Sequence, residues 1–326
     1  MINRRALLST AVSAGAAAGL GVAPGRALAD DYPSRPIHFV LPFPAGPTDV
    51  VIRLYADKIT RDWHQPAVVD NRPGATGSIG TELVVQAKPD GYTLLFTVDL
   101  PISMAPNLIK VPYDPARDLI PICAVVESSG VLVVNASTGI KTLAQFIAAA
   151  KAKPGTLTYS SAGIGSPAHL CGAMMAQQAG VDITHVPYKG AGPAMNAVLT
   201  GTVTAFCGPI AQSLQYIKTG KFNALGVSGP RASPLLPDVR PLSASYPGLV
   251  ISNWFGLMAP AHTPADITKA LRDEFKKISD EPDIRTKLMA IGLQPEWLEG
   301  ETFAARIAND TKKIRDFVVA AKIHTE

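Results

Sequence analysis

The stretch IHFVLPFPAGPTDVVIRLYADKITRDW, residues 37–63, reads as a strand, a tight turn and a helix in direct succession. Residues 37–43 are an apolar run of strand length. From Asp49 the apolar positions Val50, Val51, Leu54, Tyr55, Ile59 and Trp63 recur at helical spacing, and Thr48 or Asp49 can cap the start. Between the two, PFPAGPTD at 42–49 turns the chain with three prolines, one glycine and no basic residue. A strand delivered this abruptly into a helix is the repeating unit of an α/β protein with largely parallel sheets.

The rest of the chain repeats the unit. Residues 65–69 read as strand, NRPGATGSIG as a glycine-rich loop, 80–86 as helix and 92–97 as strand. A second group follows, with strands at 131–134, 157–160, 203–206 and 224–227, and helices at 142–152, 167–178, 193–199 and 211–218. Glycine just past a helix end and proline at a first turn recur throughout. GPRASPLLPDVRPLSASYPG at 229–248 reads as a surface excursion. Order resumes at 249–258, and Thr263-Pro264-Ala265-Asp266 resembles a capping box opening a helical tail, with further helices at 282–291 and 301–321. A chain of 326 residues exceeds what one core usually serves, so two lobes are expected. The order of the segments makes the first lobe discontinuous: residues 30–125 with 254–326 form one lobe and 126–253 the other.

Residues 1–29 differ from everything after them. Arg4 and Arg5, an Ala/Gly/Leu/Val run and Ala27-Leu28-Ala29 form the pattern of a signal peptide cleaved after Ala29, and the paired arginines also suit the twin-arginine route. The expected location is therefore the periplasm. Cleavage removes three arginines and no acid, lowering the formal net charge from +4 to +1. Such a balance carries no electrostatic signature for nucleic acid or an anionic membrane. With 47% hydrophobic and 17% charged residues the chain is that of an ordered soluble protein. Cys123, Cys171 and Cys207 have no C-x-x-C spacing and allow one disulfide at most; they read as small buried hydrophobes.

Chemistry concentrates where strands meet helix N-termini. Besides the turn at 42–49, TYSSAGIGSP at 158–167 joins a strand to a helix with Ser166 as a natural N-cap, Pro167 as first helical residue, and Gly163 and Gly165 admitting close backbone approach. Such termini offer unpaired N–H groups and a partial positive charge, so both loops are compatible with anion binding without lysine or arginine. A third segment, VPYKGAGP at 186–193, adds the Tyr188 hydroxyl and the Lys189 charge. His169, one turn into its helix, reads as a neutral hydrogen-bond partner or packed residue, and Asp49 as a cap or the i,i+4 partner of Arg53. No G-x-S-x-G, G-x-G-x-x-G, P-loop or H-E-x-x-H occurs, so hydrolase, nucleotide and metal chemistry have no visible motif; the neighbours Ser166 and His169 leave a Ser/His hydrolase as the rival reading.

The segments DNRPGATGSIG at 70–80, KPDGYTLLF at 88–96, PYDPARDLIPI at 112–122, TYSSAGIGSPAHL at 158–170, HVPYKGAGPA at 185–194 and SNWFGLMAPAHTP at 252–264, in this order, resemble the substrate-binding receptors of tripartite tricarboxylate transporters, often called the Bug family. The resemblance runs from about Tyr32 to the C-terminus. It implies a monomeric periplasmic receptor of two α/β lobes with a type II-like binding-protein fold, two crossover strands and a cleft that closes on a small carboxylate: a di- or tricarboxylate, an aromatic acid or an acidic amino acid. It implies no cofactor, no metal and no catalysis. Its partners would be the permease subunits of such a transporter, or a sensor. Carried onto this sequence, the ligand-binding residues would be Phe43, Ala45, Gly46, Thr48 and Asp49 from the first loop, Ser160, Ser161, Gly163, Gly165, Ser166 and His169 from the second, and Tyr188 and Lys189 from the third. Family members commonly carry two glycines before P-T-D, where Gly46 here stands alone, and a Gly/Ser/Thr-rich turn where this chain has Asp99-Leu100-Pro101.

Overall fold

The computed structural model describes residues 32–320, so the expected signal peptide lies outside the described residues. Strand β1 (Ile37–Leu41) enters the turn and emerges as α1 (Pro47–Trp63), whose Val51, Ile52, Tyr55, Ala56 and Ile59 bury one face. Pro47 occupies the first turn, where no N–H is needed, and His64 in the left-handed conformation ends the helix. β2 (Ala67–Asn71), α2 (Ser78–Val85) and β3 (Thr93–Val98) follow, and β2 and β3 flank β1 in parallel. A single π turn, Leu100–Met104, runs into the short α3 (Ala105–Leu108), and α4 (Pro115–Asp118) precedes β4 (Leu119–Asn135).

β4 organises the molecule. Its first half pairs antiparallel with β9 (Ser252–Pro260) and β10 (Gln294–Glu299), its second half with β7 (Ala205–Pro209) and β8 (Phe222–Val227). The sequence pattern marks only 131–134 as strand here. Pro121 and the triplet Ser128-Ser129-Gly130 interrupt the apolar run, yet the chain stays extended through both, with register shifts at Pro121/Cys123 and Ala124/Val126.

Beyond β4, α5 (Leu143–Ala152) starts at a complete capping box between Thr142 and Gln145. β5 (Thr158–Ser161), α6 (Pro167–Ala179), β6 (Thr184–Pro187) and α7 (Ala191–Leu199) lead to β7, α8 (Ile210–Lys218) and β8, with β6 and β7 parallel to β5. After the excursion, β9 returns beside β4, with Ser252 opposite Ser129 and Trp254 opposite Glu127. The described residues end with α9 (Ala265–Asp280), α10 (Pro282–Ala290), β10 and α11 (Gly300–Ala320). The main strand order is β2-β1-β3-β9-β4-β7-β5-β6.

One core gathers Phe39, Tyr55 and Phe275; another gathers Phe146, Tyr159 and Met175 on the far side of the crossing strands β4 and β9. α11 serves both sides. Its Phe303 meets Trp254 edge-on at 4.7 Å beside the first core, and its Ile314 and Phe317 join the second.

Two capping expectations are corrected. Thr263 donates to the Pro260 carbonyl at 2.8 Å instead of capping α9, because the N-cap falls one residue later, on Pro264, and the helix begins at Ala265. Neither Thr48 nor Asp49 caps α1, whose N-cap is Gly46 with no side-chain bond. Asp49 instead accepts from Arg53 Nε at 2.9 Å, the i,i+4 alternative, and from Asn71 Nδ2 at 3.0 Å.

Candidate functional site

Between β5 and α6 the backbone passes through Gly163 at φ 130° and Gly165 at φ 79°, conformations that side chains resist. Ser166 then caps α6: its Oγ accepts from His169 N at 3.4 Å and donates to the Gly163 carbonyl at 2.7 Å. The glycine N–H groups, which the sequence offers to an anion, are occupied within the loop. Gly163 N donates to Ser161 Oγ at 3.1 Å and Gly165 N to His169 Nδ1 at 3.1 Å.

The remaining side chains of this loop hold it in shape. Ser160 Oγ, buried, donates to the carbonyls of Ala194 at 2.9 Å and Ala205 at 3.3 Å, tying β5 to α7 and β7. Ser161 Oγ lies 2.7 Å from His185 Nε2. His185 stacks on His169 at 4.2 Å. Burial lowers both rings' proton affinity, and for His185, with His169 a further cause, it falls to about 4, so both are neutral at pH 7. Ser166 Oγ and the His169 ring are not bonded to each other, so the Ser166–His169 pair of the hydrolase reading is not formed.

A cavity of about 200 Å³ opens at this helix start. Its walls are Ser166–Ala168 and Ala191 on one side, and the middle of β4 (Ser128, Ser129 and Gly130), Phe206–Pro209 and Asn253 on the other, with no charged side chain among them. Ser228 Oγ accepts from Gly130 N at 2.9 Å and donates to the Ile251 carbonyl at 2.6 Å, fixing the floor where the crossing strands meet the excursion.

Of the sequence-derived candidates, Ser166 lines this cavity. Phe43, Ala45, Gly46, Thr48 and Asp49 do not; they form a turn of their own, pinned by Asn71 Nδ2 on the Phe43 carbonyl at 3.0 Å. Among the described residues no protein acceptor meets the N–H of Thr48 or Asp49, as at any helix start without a side-chain cap. Tyr188 N donates to the Ser161 carbonyl at 2.9 Å, which places the third segment against the second loop, while Lys189 is exposed. Leu108 of α3 reaches the second loop: a Cβ on Gly165 would stand 3.0 Å from its Cδ1. Sequence reading missed Leu108, Ser128, Ser129 and Asn253. The signal for the serines was the polar triplet inside an otherwise apolar run; Leu108 had none.

Among the described residues, no group of three or more His, Cys, Asp or Glu side chains could hold a metal ion, and the three cysteines are buried and free.

Residues 51–322 match the family described as tripartite tricarboxylate transporter family receptor. The UPF0065 protein in gbd 5'region of Cupriavidus necator is 37% identical over 315 residues, 96% of each chain. A ligand-free TctC solute binding protein from Polaromonas superposes with TM-score 0.81 at 31% identity, over 89% of this chain and 99% of that one. A protein of R. palustris solved with adipate gives TM-score 0.74 at 27% identity, over 91% of this chain and 100% of that one.

Proposed function

The chain belongs to the tripartite tricarboxylate transporter receptor family, a family of periplasmic solute-binding receptors and not of enzymes, and from that premise we propose that it captures a small dicarboxylate between its lobes and presents it to transporter permease subunits. The observation that carries the ligand class is the start of α6, which opens, capped by Ser166, onto an uncharged cavity of about 200 Å³. There the helix end supplies partial positive charge, and no basic residue competes for the anion. The second grip in this reading is the start of α1, where the N–H groups of Thr48 and Asp49 have no protein acceptor. The likeness to a protein solved with adipate supports a ligand with a carboxylate at each end, one for each helix.

In this reading the first-loop residues Phe43, Ala45, Gly46, Thr48 and Asp49 approach the ligand only when the lobes close, since they stand outside the open cavity. Ligand that touches both loops then favours the closed form by its differential affinity, which is all a permease needs to read. Within the second loop, Ser160, Ser161, Gly163, Gly165 and His169 act by holding the backbone in place, and Tyr188 and Lys189 flank the entrance. The mature protein begins at Asp30 and works as a monomer.

Thermal unfolding with a panel of mono-, di- and tricarboxylates tests the proposal. A dicarboxylate at 100 times its dissociation constant adds about 2.7 kcal/mol of stability; a panel without any shift contradicts the ligand class.

A further inference from the structure

A smaller cavity, about 30 Å³, lies beside the large one, between the end of β3 and α11. Pro167, Ile251 and Asn253 line both, so the two are neighbours in one cleft. Asp99 and Ser103 face the small cavity from the turn after β3, and Asp310 and Lys313 face it from α11.

Two of these groups are buried without a partner. Asp99 is 8% exposed and its Oδ1 has no hydrogen bond; Ser103 is 0% exposed and its Oγ has none. Buried polar atoms in folded proteins almost always have partners, so a pair of orphans facing one hole marks a place where something binds. Nor does Asp99 hydrogen-bond a cation, although the charge of Arg306 acts on it. Arg306 is committed to Asp310 at 2.7 Å and to Ser252 Oγ at 2.9 Å. Lys313, half-buried on the same wall, makes no ion pair among the described residues. The directions of the proton affinities agree: burial, then the charge of Asp310, pushes the Asp99 carboxyl up to about 7, and burial pulls the Lys313 ammonium down.

An unpaired acid and an unpaired base that line one small cavity from different elements without pairing with each other fit one class of guest. We propose that the small cavity is a zwitterion subsite, in which Asp99 Oδ1 and Ser103 Oγ receive the ammonium of an α-amino acid and Lys313 its carboxylate, the remainder reaching into the large cavity. The subsite rests on the receptor reading above and narrows its ligand class. The space suits it, since 30 Å³ admits about two water-sized groups, one ammonium and one carboxylate oxygen. A plain dicarboxylate gives Asp99 no donor and sets a second negative charge near it.

The test is calorimetric titration at pH 8, where Asp99 is ionised and α-ammonium groups are still charged, with matched pairs: succinate and aspartate, glutarate and glutamate, adipate and 2-aminoadipate. At least one amino acid should bind tenfold or more tightly than its plain partner, and Asp99→Asn should reduce that ratio at least tenfold. Equal or tighter binding of the plain member in every pair, which needs no variant to observe, overturns the subsite and leaves the receptor reading standing. A ratio unchanged in Asp99→Asn overturns the assignment to Asp99. Absence of binding by all six acids defeats the receptor reading and the subsite together.

Discussion

Asp49 shows how one residue can be read correctly in chemistry and wrongly in role. Its place at a helix start suggested a cap, but Gly46 takes that position with extended backbone and leaves the carboxylate free to hold Arg53 and Asn71. The Arg53 bond, with Asn71 assisting, holds the Asp49 carboxyl below the usual range. Because the folded state binds the proton more weakly than the unfolded one, the stabilisation is complete above about pH 4 and fades as the pH falls further. Asp49→Ala is expected to cost about 1 kcal/mol at pH 7, measured by urea unfolding, and to cost progressively less as the pH drops below 4. The second loop teaches the complementary lesson. Gly163, Gly165 and Ser166 were legible from their residue types, since a turn of this shape needs glycine and a helix start after it needs a cap. That the glycine N–H groups bond to Ser161 and His169 was not legible, because it depends on rotamers set by His185 across the loop.

Elements with one strong periodicity were readable from the chain, and elements shaped by their neighbours were not. α1 and α6 carry their own signals: proline at the first turn, apolar spacing and a left-handed residue at the end. β4 hides because its middle is polar where it passes the cleft, and β10 because Gln294–Glu299 is half-buried with a proline inside, as suits a strand pairing along one side. α6 also supplies a contest of magnitudes. Alanine in place of a helical glycine ordinarily stabilises by about 1 kcal/mol. At Gly172, however, a Cβ would stand 2.2 and 2.3 Å from ring carbons of Tyr159, and overpacking of this kind costs about 1–3 kcal/mol. Gly172→Ala should therefore destabilise; an unfolding midpoint at or above that of the parent would show that the Tyr159 ring moves aside freely.

At the scale of the whole molecule, the α/β class and the doubling of the βα units followed from the order of segments, whereas the path of α11 did not. No sequence pattern told that one helix would place Phe303 beside Trp254 and Ile314 and Phe317 in the core beyond the crossing strands. The helix thereby ties the two sides together. Phe317→Ala is expected to lower stability by about 3 kcal/mol, in the range for a buried aromatic, and Val319→Ala, at an exposed position on the same helix, by much less; similar losses for the two in urea unfolding would mean that the end of α11 does not matter to the second core. The same geometry frames function. The cavity sits where β4, β9 and the start of α6 converge, with the first loop outside it, so the account requires a guest that joins the two. Calorimetric titration of the mature chain with adipate, succinate and their amino analogues tests this most directly. The account predicts saturable binding of one acid per chain by at least one member of the series, weakened when proline replaces Ala168 at the start of α6; no heat of binding from any of them would contradict it.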